Sequence, residues 1–167
     1  LVVLLHMPIG SRDDRDGSRE REGAVLGSAA GVVTTSGWSR RWLLAAYGLD
    51  PARVRVARPG VDPAERAVGS SHGRNLLCVG AVTPGKGHDV LLAALTRIAG
   101  PGWRCTCVGA LTSAPDFVAD LRRGIRRARL ADRFVLTGPR TGRELEASYA
   151  ASDALVLASR GETYGMV

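Results

Sequence analysis

The chain has 167 residues, 45% of them hydrophobic, and a formal net charge of +7. That length suits one ordinary domain or parts of two, and the apolar content argues against wholesale disorder. Its apolar runs, such as LVVLL at 1–5 and ALVLA at 154–158, fall well short of the ~20 residues a membrane-spanning helix needs.

The chain opens on an apolar stretch with no positive charge before it, which reads as cytoplasmic rather than secreted. Its start inside an apparent strand and its end at Val167 read as cut ends. LVVLL is a continuous apolar run, as expected of a strand buried on both faces. A charged loop running into a helix follows, and GVVTTS (31–36) is the next strand. Ser36 is placed to cap a helix that ends at Gly48, with Trp38, Trp42, Leu43 and Ala46 at helical spacing. A short strand at 54–57 and a turn at 58–62 lead into the small, polar residues 63–73, which read as a linker.

Beyond the linker the alternation is regular. Strands are expected at 75–80, 103–109, 133–138 and 154–159, and helices at 88–99, 115–130 and 142–151. Strands alternating with helices imply an α/β fold, a parallel sheet with helices on both faces. Two such units joined by a linker would set a cleft between them.

Cys78, Cys105 and Cys107 lie in the strand-like runs. A C-x-C pair with no second Cys or His cluster in the sequence is poor support for zinc, so the three read as reduced core thiols.

The charge suggests an anionic partner: nucleic acid, a membrane surface or a phosphorylated ligand. Of the 23 basic residues 22 are arginine, and the single lysine is Lys86. It stands in GAVTPGKG (80–87), which nearly spells a nucleotide-binding P-loop. Such a loop cradles phosphates with backbone N–H groups and holds Mg²⁺ with a Ser or Thr hydroxyl. Here Gly87 has no hydroxyl, Pro84 removes an N–H, and no later strand ends in a suitably placed Asp. A nucleoside triphosphatase is therefore excluded. A phosphate site is not, because Gly80 follows a strand, Gly87 opens a helix and Lys86 adds a full charge. A plain strand-to-helix turn with a solvent-facing lysine fits the same residues.

SRGETYGMV (159–167) follows the last strand and should share the carboxyl edge of the sheet with this loop, where open α/β sheets bind ligands. Glu162 could accept two sugar hydroxyls there, and the amides of a helix opening at Gly165 could meet a diphosphate. A sugar attached to a nucleoside diphosphate asks for both.

In order, VVTTSGWSRRWL, PGVD, LLCVGAVTPGKGHDVLLAAL, CTCVGA, FVLTG and YAASDALVLASRGETYGMV cover about three-quarters of the chain. As an ordered set they resemble the retaining GT-B glycosyltransferases of family 4, the group 1 glycosyltransferases. The resemblance implies two Rossmann-like domains with parallel sheets. Residues 1–62 would be the last part of the acceptor-side domain, 63–73 the hinge, and 74–167 most of the donor domain.

It further implies that Lys86 contacts the donor diphosphate, with the backbone of Gly80 and Ala81 nearby. Glu162 would bind hydroxyls of the transferred sugar, and the amides of Tyr164, Gly165, Met166 and Val167 would meet sugar and phosphate. Gly138 and Arg140 would flank the nucleotide base, and His6 would line the donor sugar and assist catalysis. Two positions depart from the family: Ala81 and Gly85 stand where many members carry arginine. The diphosphate thus lacks a cation that usually helps the lysine.

The implied reaction moves a sugar from a UDP- or GDP-sugar to an acceptor hydroxyl with retention of anomeric configuration. The acceptor would be a glycan, a lipid or a small molecule. No Asp-x-Asp metal site is evident, and the resemblance implies no cofactor and no bound metal. The fragment by itself is expected to be inactive. The alternatives are a GT-B sugar-nucleotide epimerase and a noncatalytic nucleic-acid-binding module. LRRGIRRARL (121–130), with Arg122, Arg126 and Arg129 along one side, fits a solvated face or contact with anionic lipid at the inner face of the membrane. Without interleaved aromatics it makes a poor nucleic-acid platform, and no nucleic-acid partner is expected.

Overall fold

The computed structural model describes residues 1–11, 17–98 and 102–165, and its chain divides into two compact units. Residues 162–165 group with the first unit, Leu1–Asp62, and Pro63–Gly161 form the second.

In the first unit β1 (Val2–Leu5), β2 (Gly31–Thr34) and β3 (Val54–Val56) form a parallel sheet in the order β1-β2-β3. Val3 pairs with Val32, and Val32 with Val54. Helices α1 (Ser18–Ser28) and α2 (Gly37–Tyr47) connect the strands. The Ser36 hydroxyl accepts from Ser39 N at 3.1 Å, capping α2, and Gly48 closes it at φ +62°, a backbone that glycine adopts without a Cβ penalty. The apolar core gathers Leu26, Ala29, Val32, Leu43 and Val54.

The charged first turns of α1 include a polar anchor. Glu22, on α1, is buried and accepts from Ile9 N at 2.8 Å, Gly10 N at 3.0 Å and the Tyr47 hydroxyl at 2.5 Å. A charged acceptor with three donors makes burial of the carboxylate tolerable. Gly10 and Gly23 leave room for Tyr47, since a Cβ on either would overlap its ring or hydroxyl.

The second unit is a four-stranded parallel sheet in the order β6-β5-β4-β7, made of β4 (Asn75–Val79), β5 (Arg104–Val108), β6 (Phe134–Gly138) and β7 (Ala154–Leu155). Helices α3 (His88–Thr96), α4 (Pro115–Arg127) and α5 (Gly142–Ala150) join them. The last strand is shorter than expected: only Ala154 and Leu155 pair with β4, although Val156 N still donates to Leu77 O at 2.8 Å. Side chains of alternate parity line opposite faces, so Cys105 and Cys107 enter the core beside Cys78 and Phe134. Leu91, Leu92 and Leu95 of α3 and Val118, Leu121 and Ile125 of α4 complete it, each fully buried leucine contributing roughly 2 kcal/mol. The arginines of α4 point outward: Arg122, Arg123, Arg126 and Arg127 are all exposed.

Residues 63–73 form neither helix nor strand, yet their end is fastened. The Asp153 carboxylate accepts from Ser70 N at 2.5 Å, Ser70 Oγ at 2.7 Å and Asn75 N at 2.6 Å. Those hydrogen bonds, the Ser70 and Asn75 amides first, hold its pKa down to about 2. Gly69 N adds a bond to Ala150 O at 2.9 Å.

Candidate functional site

The carboxyl edge of the second sheet is built from backbone held at very close range. Gly80 N donates to Val108 O and Val82 N to Ala110 O, each at 2.9 Å, while Gly109 N donates to Gly138 O at 3.0 Å. These bonds tie the ends of β4, β5 and β6 into one ledge. Gly80 has φ +151°, a backbone that L side chains rarely adopt, and Gly109 has no room for a side chain, because a Cβ there would fall on the Gly80 carbonyl oxygen.

The loop on this ledge closes with a 3₁₀ turn at Pro84–Lys86, followed by Gly87 at φ +66° and the start of α3. The missing P-loop hydroxyl has a structural reason. A Cβ on Gly87 would fall on the Ala158 carbonyl oxygen, so the close approach of the segment after β7 demands glycine. Lys86 is half-buried, and its stem lies over Gly80, with Cδ 3.6 Å from where a Gly80 Cβ would be. A lysine so placed at the N-terminal end of α3 reinforces the positive pole of the helix.

Sequence reasoning missed the partner of this loop, Arg160. Its N donates to Gly85 O at 2.9 Å, its guanidinium contacts Pro84 O, and it forms a two-point ion pair with Asp89 at 3.1 and 2.6 Å. Arg160 holds the Asp89 carboxyl below its usual range, chiefly by this hydrogen bonding. Asp89 sits in the first turn of α3, where an unpaired carboxylate would repel an incoming anion. Arg160 cancels that charge. The two residues are 71 apart in sequence, a separation at which no local pattern pairs them.

Of the residues expected at the site, the structure brings Gly80, Ala81, Lys86 and Gly138 together on the second unit's ledge. Arg140 follows β6 and donates from Nη1 to Ser148 Oγ at 2.8 Å. His6 belongs to the first unit, exposed directly after β1, with its carbonyl accepting from Thr35 Oγ1 at 3.3 Å. Glu162, Tyr164 and Gly165 also group with the first unit, where the Tyr164 hydroxyl donates to Pro59 O at 3.3 Å. Gly165 has φ +79°, a left-handed backbone, and the helix expected to open there would run beyond the described residues. Met166 and Val167 lie outside the described residues.

Beneath the loop, Cys78 and Cys107 are paired across β4 and β5, and His88 of α3 is fully buried against them. Cys107 hydrogen-bonds to Cys78 and lowers its pKa, with His88 acting in the same direction, while Cys107 itself is raised.

Solved structures similar in fold include HepE of Anabaena in complex with UDP and glucose, with a TM-score of 0.80 at 21% identity, covering 98% of this chain and 48% of that one. Sucrose-phosphate synthase of Thermosynechococcus elongatus matches with a TM-score of 0.76 at 20% identity, covering 99% of this chain and 46% of the other. The architecture is thus the GT-B glycosyltransferase fold with its parallel sheets. The family model described as "Glycosyl transferases group 1" matches residues 73–167, and the chain belongs to that family.

The D-inositol 3-phosphate glycosyltransferase of Kineococcus radiotolerans is 30% identical over 168 residues, covering 87% of this chain and 38% of the relative. The enzyme of that name from Pseudarthrobacter chlorophenolicus is 32% identical over 161 residues, with the same coverage. The chain therefore spans about two-fifths of the length of these relatives. Among the described residues no helix is long and apolar enough to cross a membrane.

Proposed function

We propose that this chain carries the donor-binding part of a retaining glycosyltransferase that moves a sugar from a nucleoside diphosphate sugar to an acceptor hydroxyl. The observation that carries this reading is the loop of Gly80–Gly87, with Lys86 at the N-terminal end of α3 on a glycine ledge. The donor diphosphate binds Lys86 and the amides around Gly80 and Ala81, and the base lies near Gly138 and Arg140. Glu162 holds hydroxyls of the transferred sugar, assisted by the amides of Tyr164, Gly165, Met166 and Val167, and His6 lines the sugar. On this reading residues 1–62 belong to the acceptor side, 63–73 to the hinge and 74–167 to the donor side.

In the transfer, the bond between the anomeric carbon and the diphosphate oxygen lengthens before the acceptor oxygen is fully bonded. Negative charge then develops on the leaving diphosphate. A fixed ammonium and helix N-terminal dipoles stabilise that charge more than they stabilise the ground state, which is electrostatic catalysis. A bound metal is not needed for this role. The UDP held by HepE favours a uridine donor, and the relatives' names favour a phosphorylated polyol as the first acceptor to try. The epimerase and nucleic-acid readings gain no support from these relatives.

The test is transfer from an α-configured UDP-sugar to D-inositol 3-phosphate by the protein encoded by the complete gene, with the product read by proton NMR. An α-linked product supports the reading. A β-linked product overturns retention, and epimerised UDP-sugar without transfer overturns transferase function.

A further inference from the structure

The buried cluster under the Lys86 loop exceeds what a hydrocarbon core requires. In sequence the C-x-C pair lacked any companion ligand group; in the fold it gains two. The parallel register sets Cys78 directly opposite Cys107, and α3 brings His88 over both. One ligand atom from each of Cys78, His88 and Cys107 falls within a 4.8 Å span. Cys78 Sγ lies 3.6 Å from His88 Nε2. Zinc bonds of about 2.3 Å to sulfur and 2.0–2.1 Å to nitrogen, at tetrahedral angles, require donor separations of roughly 3.5–3.8 Å.

Histidine is a costly choice here, and an ion held through Nε2 would not relieve the other ring nitrogen. His88 has 0% exposure, and among the described residues its Nδ1 has no hydrogen-bond partner. An imidazole placed in a core with an unsatisfied nitrogen costs free energy that a leucine or valine would not.

We propose that Cys78, His88 and Cys107 form a structural site for one Zn²⁺. Two thiolates and a neutral imidazole bring the net charge of the bound site to zero, which suits a low-dielectric core. Binding releases the two thiol protons to solvent, and no electron moves. Cys105, whose Sγ is 4.0 Å from that of Cys107, adjoins the site and is not counted among its ligands. The ion would crosslink β4, β5 and the first turn of α3, and so stiffen the base of the Lys86 loop without entering sugar transfer.

The test uses the reduced 167-residue chain, loaded with Zn²⁺ and dialysed against metal-free buffer, with metal measured by mass spectrometry. The expected result is about one zinc per chain and a melting temperature that falls when a chelator strips it. Co²⁺ in its place should show intense thiolate charge-transfer bands. Cys78→Ala and Cys107→Ala should each lose the metal and the bands, while His72→Ala, which removes an exposed histidine, should keep both. Should a variant fail to fold, the metal content and Co²⁺ spectrum of the unaltered chain still decide. No retained zinc and no charge-transfer bands in the folded chain would overturn the proposal and leave ordinary core thiols.

Discussion

The two units solve the same problem, a parallel sheet covered by helices, with different means. Among the described residues the second buries thirteen in one apolar cluster, and it fits backbone against backbone through glycine. The first has an apolar cluster of five and adds a buried carboxylate, Glu22, that gathers a turn and the end of α2. Its β1 leaves Val2 and Leu4 63% and 59% exposed. Small cores supply little hydrophobic stabilisation, so a satisfied polar anchor carries a larger share of the first unit's order.

The sharpest way to break this contrast is Gly109→Ala. The new methyl group would land on the Gly80 carbonyl oxygen, backbone that cannot swing aside, and the loss should be on the order of 3 kcal/mol or more. Urea unfolding of the second unit reads it; a change below ~1 kcal/mol would show that the ledge yields.

In the first unit Glu22→Gln should cost about 2 kcal/mol, because the charge-assisted bonds weaken and an amide NH₂ faces donors. Thermal melting followed by tyrosine and tryptophan fluorescence would register it, and an unchanged midpoint would remove Glu22 as anchor.

Asp153 sharpens the comparison through pH. Its folded pKa, about 2, lies below the ~3.9 of an unfolded aspartate. The stabilisation it gives is therefore present above pH ~4 and lost as pH falls from there toward 2. Asp153→Asn should remove that part of the acid dependence, seen as a flatter stability-against-pH curve between those values. An identical curve in the variant would contradict the assignment.

The smallest effect on stability is expected at Arg160. Its ion pair with Asp89 is roughly half exposed on both sides, so Arg160→Ala should cost less than ~1 kcal/mol. Its effect on ligand binding should be larger than that, because Asp89 is left uncovered beside the phosphate loop. UDP affinity should fall in Arg160→Ala and recover in the Arg160→Ala/Asp89→Ala pair. Failure of the pair to recover would mean that Arg160 acts otherwise than by cancelling Asp89.

Much of this was legible from local pattern. Ser36 and Gly48 bounded α2 because caps are local chemistry, and the runs NLLCVG, WRCTCVG and RFVLTG declared buried parallel strands through their continuous apolar character. The glycines of the Lys86 loop were visible as well, but their reasons were not. Gly87 is required by Ala158, seventy-one positions away, and Gly109 by Gly80. Glu22 sat in SRERE, where a charge run reads as solvated surface, and only the fold reveals Ile9, Gly10 and Tyr47 converging on it. His88, Cys78 and Cys107 were likewise scattered until β4, β5 and α3 came together. Long-range contact, rather than residue type, separates what could be read from what could not.

The central claim is that Lys86 and its loop hold a nucleoside diphosphate. Calorimetric titration of the chain with UDP and GDP, without added metal, tests it most directly alongside Lys86→Ala. The account predicts that one of the two binds and that Lys86→Ala weakens it by at least about tenfold, roughly 1.4 kcal/mol. Equal affinity in the two proteins, or no binding of either nucleotide to the folded chain, would contradict it.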